Sequence, residues 1–270
     1  MALVNNLVVE RIRRAVMLHS DTGEILWTIN QITNPTLTLS AEQAEAVDAL
    51  GTPIAKFDRA KTAEFSAENS LFDLGLLAAQ SGTSVDTAAS DNKYNVPYFD
   101  EIKVTTADTI TLTQTPAAGT LKFIYAIAGD GTLGEKFTVG SSASGNTVSV
   151  AGKTVTFASG KAPAGDYFFA YYEYEVDGTT GKSADRVVAT ATNFPTAGKL
   201  IVEAIAVDPC SVSVMHAIYL CFDNAKLTSD LDITFGTDMT HPFTIECMQD
   251  YCDHERKLFT IVCPDAAVAV

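Results

Sequence analysis

Between Thr36 and Gly82 the chain reads TLTLSAEQAEAVDALGTPIAKFDRAKTAEFSAENSLFDLGLLAAQSG, and no other stretch limits the fold as much. Thr36–Ser40 alternates with period two and runs on into Ala41–Val47, with charges at Glu42 and Glu45. Gly51–Pro53 signals a turn, after which Ile54–Phe65 returns as a strand. The Asn34–Pro35 pair just before reads as a chain break. The expectation is a long polar hairpin over residues 36–65, feeding directly into a helix.

That helix begins near Ser66 or Asn69, both good N-caps, and occupies 70–80. Leu71, Leu74, Leu77 and Ala78 fall on one face, with Phe72 and Leu76 widening it. Gly82 stands where a left-handed C-cap is expected. A face this apolar packs on a sheet.

Elsewhere the pattern is β. Leu7–His19 and Glu24–Ile29 read as strands. From Thr109 the segments TITLTQ, LKFIYAI, FTVG, TVSV, KTVTFAS and DYFFAYYEYEV are separated by glycine-rich turns about ten residues apart. Residues 101–184 are therefore expected to form an inserted β-sandwich-like subdomain, and 1–100 with 185–270 the core domain. In the last part KLIVEAIAV, VSVMHAIYLCF, DLDITFG, PFTIECMQD and KLFTIVCP read as further strands of the core.

The net charge of −15 over 270 residues argues against a surface that grips phosphates, which takes clustered Lys and Arg. No run is long and apolar enough for a membrane helix, and the basic Arg11, Arg13 and Arg14 follow the first apolar stretch where a secretory signal would put them before it. The expected site of synthesis is the cytoplasm. Five cysteines, all in the last quarter, read as free thiols, Cys221 and Cys263 among them as small core residues.

Chemistry-bearing patterns are weak. Cys247, Cys252 and His254, with Cys210 or His241, give a C-x4-C-x-H spacing unlike the paired C-x2-C or H-x3-H of zinc sites. No metal or cofactor is expected. No G-x-S-x-G elbow or Walker loop occurs, and none of the four histidines has the context of a catalytic base, so no catalytic residue is assigned. DLDI at 230–233 reads as a strand with one acidic face. FFAYYEYEV at 168–176 reads as core and interface, the sharper alternative being a ligand-stacking surface.

Three segments resemble the major tail tube proteins of tailed bacteriophages: the hairpin–helix stretch, TLTQTPAAGTLKFIYAIAGDGT with the later DYFFAYYEYEV, and FDNAKLTSDLDITFGTDMTHPFTIECMQDYCDHERKLFTIVCP. In that family a strand leading from the Asn-Ala pair and a late HPF…LF.I pair close the sheet. The resemblance implies a mainly β, tail-tube-like fold of two packed antiparallel β-sheets with one flanking α-helix, the inserted subdomain being additional. It implies a non-enzymatic virion protein whose hexameric rings stack into a tail tube through which DNA is ejected. The partner is then the same chain, with tail sheath, baseplate and tail terminator proteins beyond it, transient DNA passage and no membrane. Subunit contacts are assigned by analogy to Glu42, Glu45, Asp48, Lys56, Asp58 and Arg59 on the hairpin. The alternatives are another phage structural β-protein (a capsid decoration or baseplate component), or a carbohydrate-binding β-sandwich using exposed Tyr171, Tyr172 or Tyr174.

Overall fold

A computed structural model describes residues 6–209, 211–251 and 254–264, with the backbone alone at 211–213. Cys210 and Cys252, named above as thiols that a metal would use, lie outside the described residues. The chain divides into two compact units, Met1–Val85 with Arg186–Val270, and Asp86–Asp185.

The first unit opens with β1 (Val8–His19), β2 (Ile25–Ile29), β3 (Ile32–Val47), β4 (Pro53–Asn69) and α1 (Leu74–Gln80). The middle unit holds β5 (Asp86–Thr87), β6 (Tyr94–Lys103), β7 (Thr109–Thr111), β8 (Phe123–Ile127), β9 (Leu133–Gly140), β10 (Thr147–Ala151), β11 (Thr154–Thr156) and β12 (Tyr167–Val176), and β13 (Asp185–Arg186) straddles its last residue. The chain then adds β14 (Gly198–Asp208), β15 (Ser211–Leu227), β16 (His241–Cys247) and β17 (Thr260–Val262). The fold is mainly β, with one short helix among the described residues.

In the first unit the strands run β2-β1-β14-β15-β16-β4-β3, with β17 also on β15, every pair antiparallel. Alternation sends one side of each strand inward: Ala63, Phe65, Ala67 and Asn69 of β4 are buried while Glu64 between them is exposed. Trp27 of edge strand β2 meets Phe243 of β16 at 6.0 Å between ring centroids, although the two strands are far apart in the sheet order. The sheet therefore folds over, and the packed layers of this unit belong to one continuous hydrogen-bonded sheet. Phe65, Phe222, Met17 and Leu200 fill the space between the layers. Burying each side chain of that size stabilises by about 1.5–3 kcal/mol.

Three local readings change. Asn34–Pro35 does not break the chain: Asn34 takes a positive φ of 51°, and the register jumps between Thr33 and Thr36. A bulge absorbs the residue that cannot donate to the ladder, so β3 continues through it. The helix starts later than the sequence indicates, because β4 continues to Asn69 in pairing with His241 of β16. Asp73 is the actual N-cap, its Oδ1 accepting from the Leu76 N–H at 2.7 Å. DLDITFG forms no strand: Leu231 and Phe235 are exposed, and pairing there is a single bridge between Thr234 and Thr240. With no neighbouring strand to share its backbone groups, alternation alone does not make a strand.

Gly82 ends α1. Its φ is +67°, its N–H donates to Ala79 O and that of Thr83 to Ala78 O, the paired bonds of a Schellman motif. A Cβ there would fall 2.4 Å from the Phe194 backbone, so close approach reinforces the demand for glycine.

In the middle unit the order is β6-β12-β8-β9-β10-β11-β7, antiparallel except for the parallel β9–β10 pair. Strand β6 runs across position 101, and its full-length pairing with β12 keeps it in this unit. Phe137, Phe157 and Phe168 form its centre, with centroids 4.6–5.8 Å apart. Buried Tyr172 donates its hydroxyl to Asp100 Oδ2 at 2.9 Å and accepts from the Gln114 N–H at 2.9 Å. Asp100 also takes the Thr113 N–H at 2.7 Å and its hydroxyl at 2.9 Å.

Candidate assembly surface

The hairpin of β3 and β4 is anchored at one end only. Strand β16 pairs with β4 from Ala63 to Asn69 and stops. Beyond that the β3–β4 ladder continues from Ser40–Thr62 to Val47–Pro53 as a two-stranded arm. At ~3.4 Å per residue the arm is roughly 24 Å long. Of residues 38–62 only Ala44 and Ala55 are half-buried; the rest are exposed. An isolated two-stranded ribbon is marginal in water unless something packs on it. Among the described residues β3 is also the outermost strand of the sheet, with one edge of backbone donors and acceptors open.

The six residues assigned by analogy all fall on this arm, and four of them hold the arm itself together. Lys56 Nζ meets Glu45 Oε1 at 2.7 Å, and Gln43 Nε2 donates to Asp58 Oδ1 at 2.9 Å, both across the ladder. At the tip Asp48 Oδ1 accepts from the N–H groups of Thr52 (2.9 Å) and Leu50 (2.8 Å), closing a turn in which Gly51 has φ +85°. Those two backbone donors, Thr52 first, hold the Asp48 carboxyl below the usual range. Glu42 and Arg59 are exposed where the register jumps between Ala41 and Gln43.

Charge was the cue in the sequence, and it passed over the apolar residues. Val47, Leu50, Ile54 and Phe57 are 54%, 91%, 71% and 59% exposed, concentrated at and near the tip. Phe57 shares a face with its partner Ala44, and Ala46 with Ala55, while the paired Glu45 and Lys56 occupy the other face. A bulge that sets Arg59 and Ala60 of β4 opposite Glu42 makes this hard to read from sequence: Phe65 and Phe57 share a parity along β4, yet the extra residue turns them to opposite faces.

Other candidate chemistry resolves into structure. Burial pushes the Cys247 thiol up to about 12. His241 is fully buried, its Nε2 2.5 Å from Gln80 Oε1. His254 is exposed, and no cluster able to hold a metal occurs among the described residues. Arg13 and Arg14 both converge on Glu203, at 3.5 and 2.8 Å, which offsets part of the basic stretch of β1. Of the tyrosines named for ligand stacking, Tyr172 is buried and Tyr174 half-buried against Tyr98; Tyr171 is exposed. No described helix is long and apolar enough to cross a membrane.

An open sheet edge and an uncovered apolar-tipped arm are features of the kind through which sheets pair with other chains. The sequence model of the YomU/Tube protein family matches residues 7–261, and the chain belongs to that family. Membership over nearly the whole chain agrees with the resemblance to phage tail tube proteins. No curated protein matches the chain.

Proposed function

We propose that this chain is the subunit of a phage tail tube, assembling into hexameric rings that stack into a conduit for DNA. The arm carries the reading. It is a ribbon too long and too exposed to be stable alone, and it has the form of an element that adds to a neighbouring copy by sheet-edge pairing and tip burial. Glu45, Lys56, Asp58 and Asp48 keep the ribbon straight and its tip closed; Val47, Leu50, Ile54 and Phe57 supply the area buried against the neighbour. Glu42 and Arg59 lie at the bulge, within reach of a partner's side chains. The net charge of −15 suits a passage that phosphates must cross without sticking.

Deleting Ala44–Thr52 joins Gln43 to Pro53 and leaves every pairing between β4 and β16 in place. The expected outcome is a folded chain that sediments as a monomer. Polymers of normal size from this variant would overturn the assignment of the arm.

A further inference from the structure

The middle unit carries a second exposed surface, apart from the arm in sequence. Along β12, Phe168, Ala170 and Tyr172 point into the core, so Tyr167, Phe169, Tyr171 and Glu173 form the opposite face. Register extends that face over three more strands. Phe99 of β6 lies opposite Tyr171, and one row crosses four strands as Glu101–Phe169–Tyr125–Lys136. Rings stand in the middle of that row, with an acid at one end and a base at the other.

The rings are open to solvent: Phe99 is 68% exposed, Tyr171 43% and Phe123 38%. Phe99 is stacked with Phe169 at 6.2 Å and lies 5.3 Å from Tyr171, so the three make one platform. Lys136 Nζ stands 3.6 Å from the Phe123 ring centroid and Lys103 Nζ 5.5 Å from that of Tyr167, marking the platform's borders. Beside it is a cleft of about 390 Å³ whose walls include Lys122, Phe123, Tyr125, Phe169, Tyr171 and Glu173.

We infer that this face binds a neutral polysaccharide chain. A pyranose ring presents a patch of C–H groups that lies flat on an aromatic face, and its hydroxyls both donate and accept hydrogen bonds. The rim matches that mixture, with Lys103, Lys122 and Lys136 as donors and Glu101 and Glu173 as acceptors. A nucleic acid fits less well, because the two glutamates offset most of the charge of the three rim lysines and the chain as a whole carries −15.

The test uses the full-length protein on a printed glycan array, followed by calorimetric titration with cellohexaose, maltoheptaose and chitohexaose up to about 10 mM, and with an oligothymidylate as a control. Neutral glycans should bind. The pair Phe99→Ala and Tyr171→Ala should weaken that binding at least about tenfold, while Phe99→Tyr retains it. Both positions are exposed, so circular dichroism of the double variant should match the parent. No neutral glycan bound, or glycan binding indifferent to the double variant, overturns the inference. So does oligothymidylate binding lost in that variant, which makes this a nucleic-acid face, or self-association lost in it without any glycan bound, which makes it a contact between copies. Arm-deleted protein should still bind glycan, so failure of this inference is separable from failure of the tube assignment.

Discussion

His241 Nε2 and Gln80 Oε1 lie 2.5 Å apart with both side chains buried, joining the last residue of α1 to the first of β16. The Gln80 amide nitrogen donates to Pro242 O at 3.3 Å, so its oxygen is the acceptor and the histidine carries its proton on Nε2. Nδ1 is buried without a partner in the fold, and a second proton there would have nothing to bond. The pair fixes the helix at the Asn69 end of the β4–β16 ladder, away from the arm, and requires a neutral imidazole.

Burial accordingly pushes the His241 pKa below its ordinary value of 6.5, opposed in part by Asp73. The unfolded chain binds the proton more tightly, so this stabilisation is complete above about pH 6.5 and is lost as pH falls below it. Melting temperatures between pH 8 and 5 should decline on the acid side, and the decline should be shallower in His241→Gln. An equal slope in the variant would remove His241 as its source.

Tyr172→Phe should destabilise the middle unit by about 1–3 kcal/mol, because it leaves the Gln114 N–H unmet and takes one donor from buried Asp100. Denaturant unfolding of the variant measures it. The aromatic core is unchanged by the substitution, so a loss near zero would show that this network is not what holds β6 and β12 to the Thr113–Gln114 segment.

Leu50→Ser with Phe57→Ser should leave subunit stability within about 0.5 kcal/mol, since both side chains are already in water. The same pair should raise the concentration needed for polymerisation by at least about tenfold, because the burial lost is lost only in the assembly. Thermal melting and light scattering separate the two effects.

Much of this was legible in the sequence. Period-two alternation located the hairpin, and glycine-rich turns separated the strands from Thr109 on, but β6, which has no such turn near position 101, was divided there. Gly82 marked the helix end correctly because its φ and the approach of Phe194 both demand glycine. The helix start was not legible, since Asn69 and Asp73 are both good caps and only pairing with His241 extends β4 to Asn69. The exposed arm residues were hidden for a related reason. Ile54 and Phe57 look like core strand residues locally, and only the end of β16 at Cys247 leaves them uncovered. DLDITFG failed in the opposite sense: its pattern was right for a strand, but nothing lies beside it to pair.

The measurement closest to the central claim is negative-stain electron microscopy of the purified full-length chain across a concentration series. Six-fold rings or hollow tubes of uniform width are the expected result. Monomers alone at every concentration, with the fold intact by circular dichroism, would contradict the account.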